Sequence, residues 1–305
     1  MISLKNKKIL LTGASGFIGS YLGDSLIKDG CDVTLIDRKL SQDLCDSSFV
    51  DNLDDHDIII HLAAFNGTKH FYEQPFNVVI DNTLPTLNLL KRFAGKSSLF
   101  VFAGTCESYA NTVSKDESLI PTPEDIDLSI GDLFNPRWSY GGSKIGNEIS
   151  VLAAHNQFNQ NFMILRYHNI YGINQKDHFF SEFMQRCIQK KYELYGYTNT
   201  RSFLHINDAV EITKSLIESS DAVNEIINVG SDNEMSIQEI GEIILKELGI
   251  DASKLKLYDA PKGSINRRAP CTKKLNKILG DKSLKLTSIE KGIKEMVEHY
   301  GLSKK

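Results

Sequence analysis

Tyr140 and Lys144 stand four apart in the string Tyr140-Gly141-Gly142-Ser143-Lys144. On a helix that spacing puts both side chains on one face. A tyrosine phenol ordinarily titrates at about 10. A neighbouring ammonium, or a positively charged ring bound beside it, favours the phenolate. Such a phenolate takes the proton of an alcohol as hydride leaves the same carbon. Near the start, Gly13-Ala14-Ser15-Gly16-Phe17-Ile18-Gly19 follows the apolar run Ile9-Leu10-Leu11. Glycines so placed allow a tight turn and a close backbone approach to phosphate, and the following helix presents its N–H groups. Glycine triplets alone are a weak signal; a strand before and a helix after make this one a seat for a dinucleotide pyrophosphate. The two strings together predict movement of a hydride and a proton to and from a carbinol.

Asp37 closes the second apolar segment. A carboxylate there bonds both ribose hydroxyls and repels a 2′-phosphate, so NAD is expected over NADP. Arg38 follows directly and is able to tolerate a 2′-phosphate.

Rigid elements must hold these residues. Lys8–Thr12, Asp32–Ile36, Asp57–His61, Leu99–Phe102 and Phe162–Arg166 read as strands, and Phe17–Lys28, Phe76–Phe93 and Ser139–Phe158 as helices. Strand–helix alternation with fully apolar strands predicts an α/β fold, a Rossmann-like doubly wound parallel sheet. Beyond Gly172 the pattern breaks up. Asp177–Lys191, Asn207–Ser219, Ser236–Leu248 and Ser288–Tyr300 read as helical, Tyr192–Tyr195 as extended and Glu225–Val229 as a strand. The expected division is a dinucleotide-binding domain over 1–172 and a smaller substrate-binding C-terminal lobe over 173–305, with segments returning to the main sheet. The polar stretch Asn111–Asn135, with Pro121 and Pro123, is expected to run over the surface near the ligand cleft.

The 305 residues suffice for one large or two modest domains. A net charge of −4 with no basic block gives nucleic-acid binding no support. The N-terminal residues run into the first strand without an apolar leader, and no apolar stretch approaches the roughly 20 residues of a membrane span, so a cytoplasmic chain is expected. Cys31, Cys45, Cys106, Cys187 and Cys271 form no CxxC pair, so neither a metal site nor a disulfide framework is indicated.

Further strings recur in order: His61-Leu62-Ala63-Ala64, Phe100-Val101-Phe102-Ala103-Gly104-Thr105, Leu165-Arg166-Tyr167-His168-Asn169-Ile170-Tyr171-Gly172, Arg201-Ser202-Phe203-Leu204-His205-Ile206-Asn207-Asp208 and Asn228-Val229-Gly230. With the glycine motif and the Tyr/Lys pair, they make nearly the whole chain similar to extended short-chain dehydrogenase/reductases of the NAD-dependent nucleotide-sugar epimerase/dehydratase family. The resemblance implies about seven parallel strands, NAD that stays bound and is regenerated, a nucleoside-diphosphate sugar as substrate, and a homodimer built on two helices per subunit. It implies Thr105 as the hydroxyl that bonds the sugar oxygen being oxidised, Tyr140 as base and Lys144 as its partner. It implies cofactor contacts for Gly13, Gly16, Phe17, Ile18, Gly19, Asp37, Arg38, Leu62, Ala63, Ala64, Ala103 and Tyr167, with Asp43 and Leu44 at the adenine. Asn169 matches a diphosphate contact. Arg201 and one of Arg267 or Arg268 match arginines that grip the phosphates, as planar forks suit phosphate oxygens. His70, Phe71 and Tyr72 follow the Ala63-Ala64 string and are placed to face the sugar.

Some positions depart from the family pattern. Gly104, Ala110, Ile173 and Cys271 read as tolerated drift. Thr105-Cys106-Glu107 is more informative. Similar 4,6-dehydratases carry Thr-Asp-Glu or Thr-Ser-Glu, where the glutamate removes the C5 proton of the 4-keto sugar and an acid helps the 6-hydroxyl leave. Sugar-uronate decarboxylases also carry Thr-Ser-Glu, and simple 4-epimerases often have neutral residues here. Glu107 therefore points to chemistry at C5, with 4,6-dehydratase chemistry as the leading expectation. A 4-epimerase, a uronate decarboxylase and a non-catalytic nucleotide sensor are the alternatives. Cys106, a thiol of ordinary pKa about 8.5, is an unusual occupant of the acid position. His61 is expected to cap a buried strand, His168 to sit near the nicotinamide and Trp138 to anchor its helix.

Overall fold

The structure, a computed structural model, describes residues 3–176, 178–260, 265–280 and 285–302. Asp177, at the start of one expected helix, lies outside them; that helix spans Phe179–Ile188.

Among the described residues the main sheet has six parallel strands, against the seven or so that the resemblance implies. They are β1 (Lys8–Thr12), β2 (Asp32–Ile36), β3 (Ile58–His61), β4 (Leu99–Thr105), β5 (Asn161–Tyr167) and Glu225–Val229. Their order is Glu225–Val229, β5, β4, β3, β1, β2. Lys8 pairs with Asp32, Ile9 with Ile58, Ile58 with Leu99, Leu99 with Asn161 and Glu225 with Met163. Ile9, Leu10 and Leu11 are fully buried, as strands covered on both faces must be. α1 (Phe17–Lys28) and the Ile206–Ile217 helix cover one face through Leu22, Leu26, Ala209 and Leu216. The Pro75–Phe93 and Trp138–Phe158 helices cover the other through Leu89, Phe93, Val151 and Ala154. The chain order reverses between β1 and β3, and ligands of such sheets bind at the carboxyl ends of the strands beside that point.

A second core gathers Phe180, Phe183, Ile240, Ile244, Ile293 and Met296. Its helices begin where the sequence supplies caps. Ser236 and Glu239 cap Ile237–Glu247 reciprocally, and Ser288 caps Ile289–His299.

The Asn111–Asn135 stretch is less superficial than expected. It holds most of a short helix, Ala110–Lys115, and a single turn at Glu117–Leu119. Val113 and Ile120 are buried in a small core with Cys106, Tyr109 and Ala269. Asn228 explains the tie: its backbone N donates to Glu124 and its side-chain amide donates to the Thr122 carbonyl. The same segment meets a buried ion pair. Arg166 of β5 donates to Glu148 at 2.7 and 3.1 Å, to the Tyr109 hydroxyl at 2.8 Å and to the Glu124 carbonyl at 2.9 Å. Gly104 is therefore not drift. A Cβ there would come within 2.9 Å of Arg166 Cγ and 3.1 Å of Glu148 Oε1. Among the described residues no helix is long and apolar enough to cross a membrane.

Candidate active site

At Gly13 and Gly19 the turn between β1 and α1 has no room for a side chain. Gly13 adopts φ +71°, and a Cβ on it would lie 2.7 Å from the Ala63 nitrogen. A Cβ on Gly19 would fall on the Gly13 carbonyl oxygen. Gly16 caps α1 without a side-chain bond, leaving first-turn N–H groups for a ligand. This backbone cradle fits the pyrophosphate of NAD. Gly19→Ala is expected to weaken NAD binding by about tenfold or more, read by titration calorimetry. Gly146→Ala, where a Cβ meets nothing, should leave it unchanged.

Asp37 stands at the edge of the cradle. It accepts from the backbone N–H of Ser15 and of Lys39, both at 2.9 Å. Arg38 turns to Asp81 and Asp43. Leu44 is buried in the core beneath the sheet, and the Ala63 N–H donates to the Thr12 hydroxyl.

From the cradle a cleft of about 710 Å³ runs over the carboxyl ends of the strands. Phe17, Ile18, Leu62, Ala64, Ala103 and Tyr167 line it, with Thr105, Cys106, Glu107, Arg137, Tyr140, Lys144, Asn169, Arg201 and Arg268. Tyr140 is buried, its ring stacked on Phe71 at 5.0 Å. Lys144 donates from Nζ to the Ala103 carbonyl at 2.9 Å, and its Nζ lies 6.0 Å from the centre of the Tyr140 ring. Here the structure corrects the simple charge argument. Burial raises the phenol pKa, and Thr105 only partly opposes it; Glu107 and Cys106 add to the rise. Burial also lowers Lys144 to about 8. The phenol is neutral until a positive group sits above it, a charge the oxidised nicotinamide would supply.

Glu107 is held by two guanidiniums. Arg268 donates to Oε1 at 2.7 Å and Arg137 to Oε2 at 3.0 Å. Burial pushes the carboxyl up, but the two arginines outweigh it and hold Glu107 below the usual range. The Cys106 thiol is buried, and its pKa is raised chiefly by that burial. Among the described residues Arg268 Nε is buried with no hydrogen-bond partner, an N–H donor left for a ligand. Arg201 donates to the carbonyls of Thr200, Asn266 and Ile265, and burial, then Arg268, lowers it to about 10. Asn169 donates to the Ser202 carbonyl with φ +34°.

Several expected residues are elsewhere. Arg267 forks onto Glu234 and does not line the cleft, whereas Arg268 does. His70 also lies off the lining, because its ring stacks on Phe65 at 4.5 Å; Phe71 takes the inward position. His168 is buried against Tyr109 and Asn228 and off the lining. His61, by contrast, is where expected: it ends the buried strand β3, its ring bonded to Thr12 and Thr86. Sequence reasoning passed over Arg137. Its place three residues before Tyr140, at the start of the same helix, is the signal that marks it. Among the described residues no cluster could hold a metal ion.

A doubly wound sheet with a glycine cradle and a buried Tyr/Lys pair defines a dinucleotide-dependent enzyme. The family model described as "NAD dependent epimerase/dehydratase family" matches residues 9–230, and the chain belongs to that family. It is 31% identical to the UDP-N-acetyl-alpha-D-glucosaminuronate decarboxylase of Bacillus cytotoxicus, over 96% of this chain and 98% of that one. It is 26% identical to the dTDP-D-glucose 4,6-dehydratase of Dictyostelium discoideum, over 78% of this chain and 62% of that one. Its fold matches the crystal structure of UDP-glucose 4-epimerase from Thermotoga maritima with UDP-glucose. That match has a TM-score of 0.84 at 21% identity and covers 96% of this chain and 98% of the other.

Proposed function

We propose that this enzyme oxidises C4 of a nucleoside-diphosphate sugar, and that the sugar is a uronate whose C6 carboxyl leaves as carbon dioxide. Tyr140 takes the O4 proton, and Thr105 bonds the same oxygen. Bound NAD would supply the acceptor, and later the donor, of the C4 hydride. The C5–C6 bond then breaks, carbon dioxide departs, and the bonding pair moves into an enolate whose oxygen receives the Tyr140 proton. Water gives a proton to C5 as the enol proton returns to Tyr140, and that proton ends on O4 when the hydride returns to C4.

The observation that carries this reading is the clamp on Glu107. A dehydratase needs a base at C5 and an acid at O6. Glu107 is ionised but weakened as a base by both arginines, and the buried Cys106 thiol occupies the acid position. Loss of carbon dioxide from a β-keto acid needs neither group. Among the described residues of the cleft lining, Arg137, Lys144, Arg201 and Arg268 face a single carboxylate, a balance that suits a diphosphate plus a uronate. The decarboxylase of Bacillus cytotoxicus, similar over 98% of its length, supports the same reading. One observation favours the dehydratase: Glu107 is ionised and lines the same cleft as Tyr140.

The proposal extends to a homodimer in the cytoplasm. Phe76, Val79, Leu84 and Leu87 of the Pro75–Phe93 helix and Ile149 of the Trp138–Phe158 helix are exposed, as a helix-on-helix interface requires.

The test incubates the enzyme and NAD with UDP-, dTDP-, GDP- and CDP-linked uronates and neutral sugars in deuterated water. Mass spectra and proton NMR should show carbon dioxide lost from a uronate and one deuterium at C5. Water loss from a neutral sugar with one deuterium gained would make it a dehydratase. Isomerisation without deuterium would make it a 4-epimerase.

A further inference from the structure

Arg38 follows Asp37, the residue proposed to hold the adenine-side ribose, and a 2′-phosphate at that ribose would need such a guanidinium. The guanidinium is engaged elsewhere. It donates to both oxygens of Asp81, at 2.9 and 3.1 Å, and also to Asp43 at 3.0 Å. Asp81 comes from the Pro75–Phe93 helix, 43 residues away. Its side chain is 21% exposed, against 52% for Arg38, so the carboxylate is the fixed partner of the pair. Two parallel N–H donors on one carboxylate are the strongest arrangement a guanidinium makes.

We infer that Asp81 is a positioning residue for cofactor choice, which draws Arg38 away from the ribose edge and so keeps the site selective for NAD over NADP. The inference rests on Asp37 as the ribose carboxylate. Asp37 repels a 2′-phosphate directly; Asp81 removes the cation that would offset the repulsion. Asp43 holds Arg38 through one nitrogen only. Lys39, whose Nζ reaches the Ser15 carbonyl, is the other cation at this edge, and a change at Asp81 leaves it in place.

The experiment measures equilibrium binding of NAD and NADP to the purified full chain by titration calorimetry. Asp81→Asn should shift the NADP-to-NAD affinity ratio about tenfold toward NADP, the worth of one charge-assisted bond. In Asp81→Asn combined with Arg38→Ala that gain should vanish. An equal loss for both cofactors, no shift, or the same gain in the double variant would overturn the inference. Asp37→Ala separates the premise: unchanged NAD affinity in that variant would place the ribose elsewhere and overturn the inference with it.

Discussion

Tyr140→Phe is expected to lower kcat by about three orders of magnitude while NAD affinity stays close to that of the wild type. The phenol is the proposed acceptor of the O4 proton, and loss of a positioned general base costs about 10²–10⁴ in rate. The ring itself should stay in place. It is buried and stacked on Phe71. The change therefore removes a proton site and spares the packing. The check pairs steady-state rates with NAD titration on the same preparation. A rate within about tenfold of wild type would remove Tyr140 from the base role.

Arg166→Ala should be the most destabilising single change, at about 3–5 kcal/mol. Arg166 and Glu148 are each 3% exposed and bond each other through three donor–acceptor contacts. Removing the arginine strands a buried carboxylate and also releases the Tyr109 hydroxyl and the Glu124 carbonyl. Denaturant unfolding of Arg166→Ala, Glu148→Ala and the double variant measures the effect. The double variant should lose less than the sum of the two, because the stranded charge is gone. A loss under about 1 kcal/mol for Arg166→Ala would show that the pair is not the tie described here.

Local pattern made much of this molecule legible. Ile58–His61 is buried throughout, so a short apolar run was enough to mark β3. The glycine string lies between strand and helix, and the Tyr140–Lys144 spacing lies within one helix; neither needs a distant residue to be recognised. What escaped depends on residues far apart in sequence. Glu107 meets Arg268 across 161 positions, and nothing near Glu107 announces that clamp. Gly104 reads as drift until Arg166 and Glu148 fill the space beside it. The choice between Arg267 and Arg268 turns on Glu234, which captures one and leaves the other to the cleft. His70 and Phe71 are neighbours, and only the stack on Phe65 decides which faces inward.

The central claim is oxidation at C4 with Tyr140 as base. The most direct measurement is rapid mixing of NAD-loaded enzyme with a nucleoside-diphosphate uronate carrying hydrogen or deuterium at C4, followed by the absorbance of reduced nicotinamide. The account predicts a transient rise, slower with deuterium and absent in Tyr140→Phe. Product formed at equal rates from both substrates, with no reduced nicotinamide at any time, would contradict it.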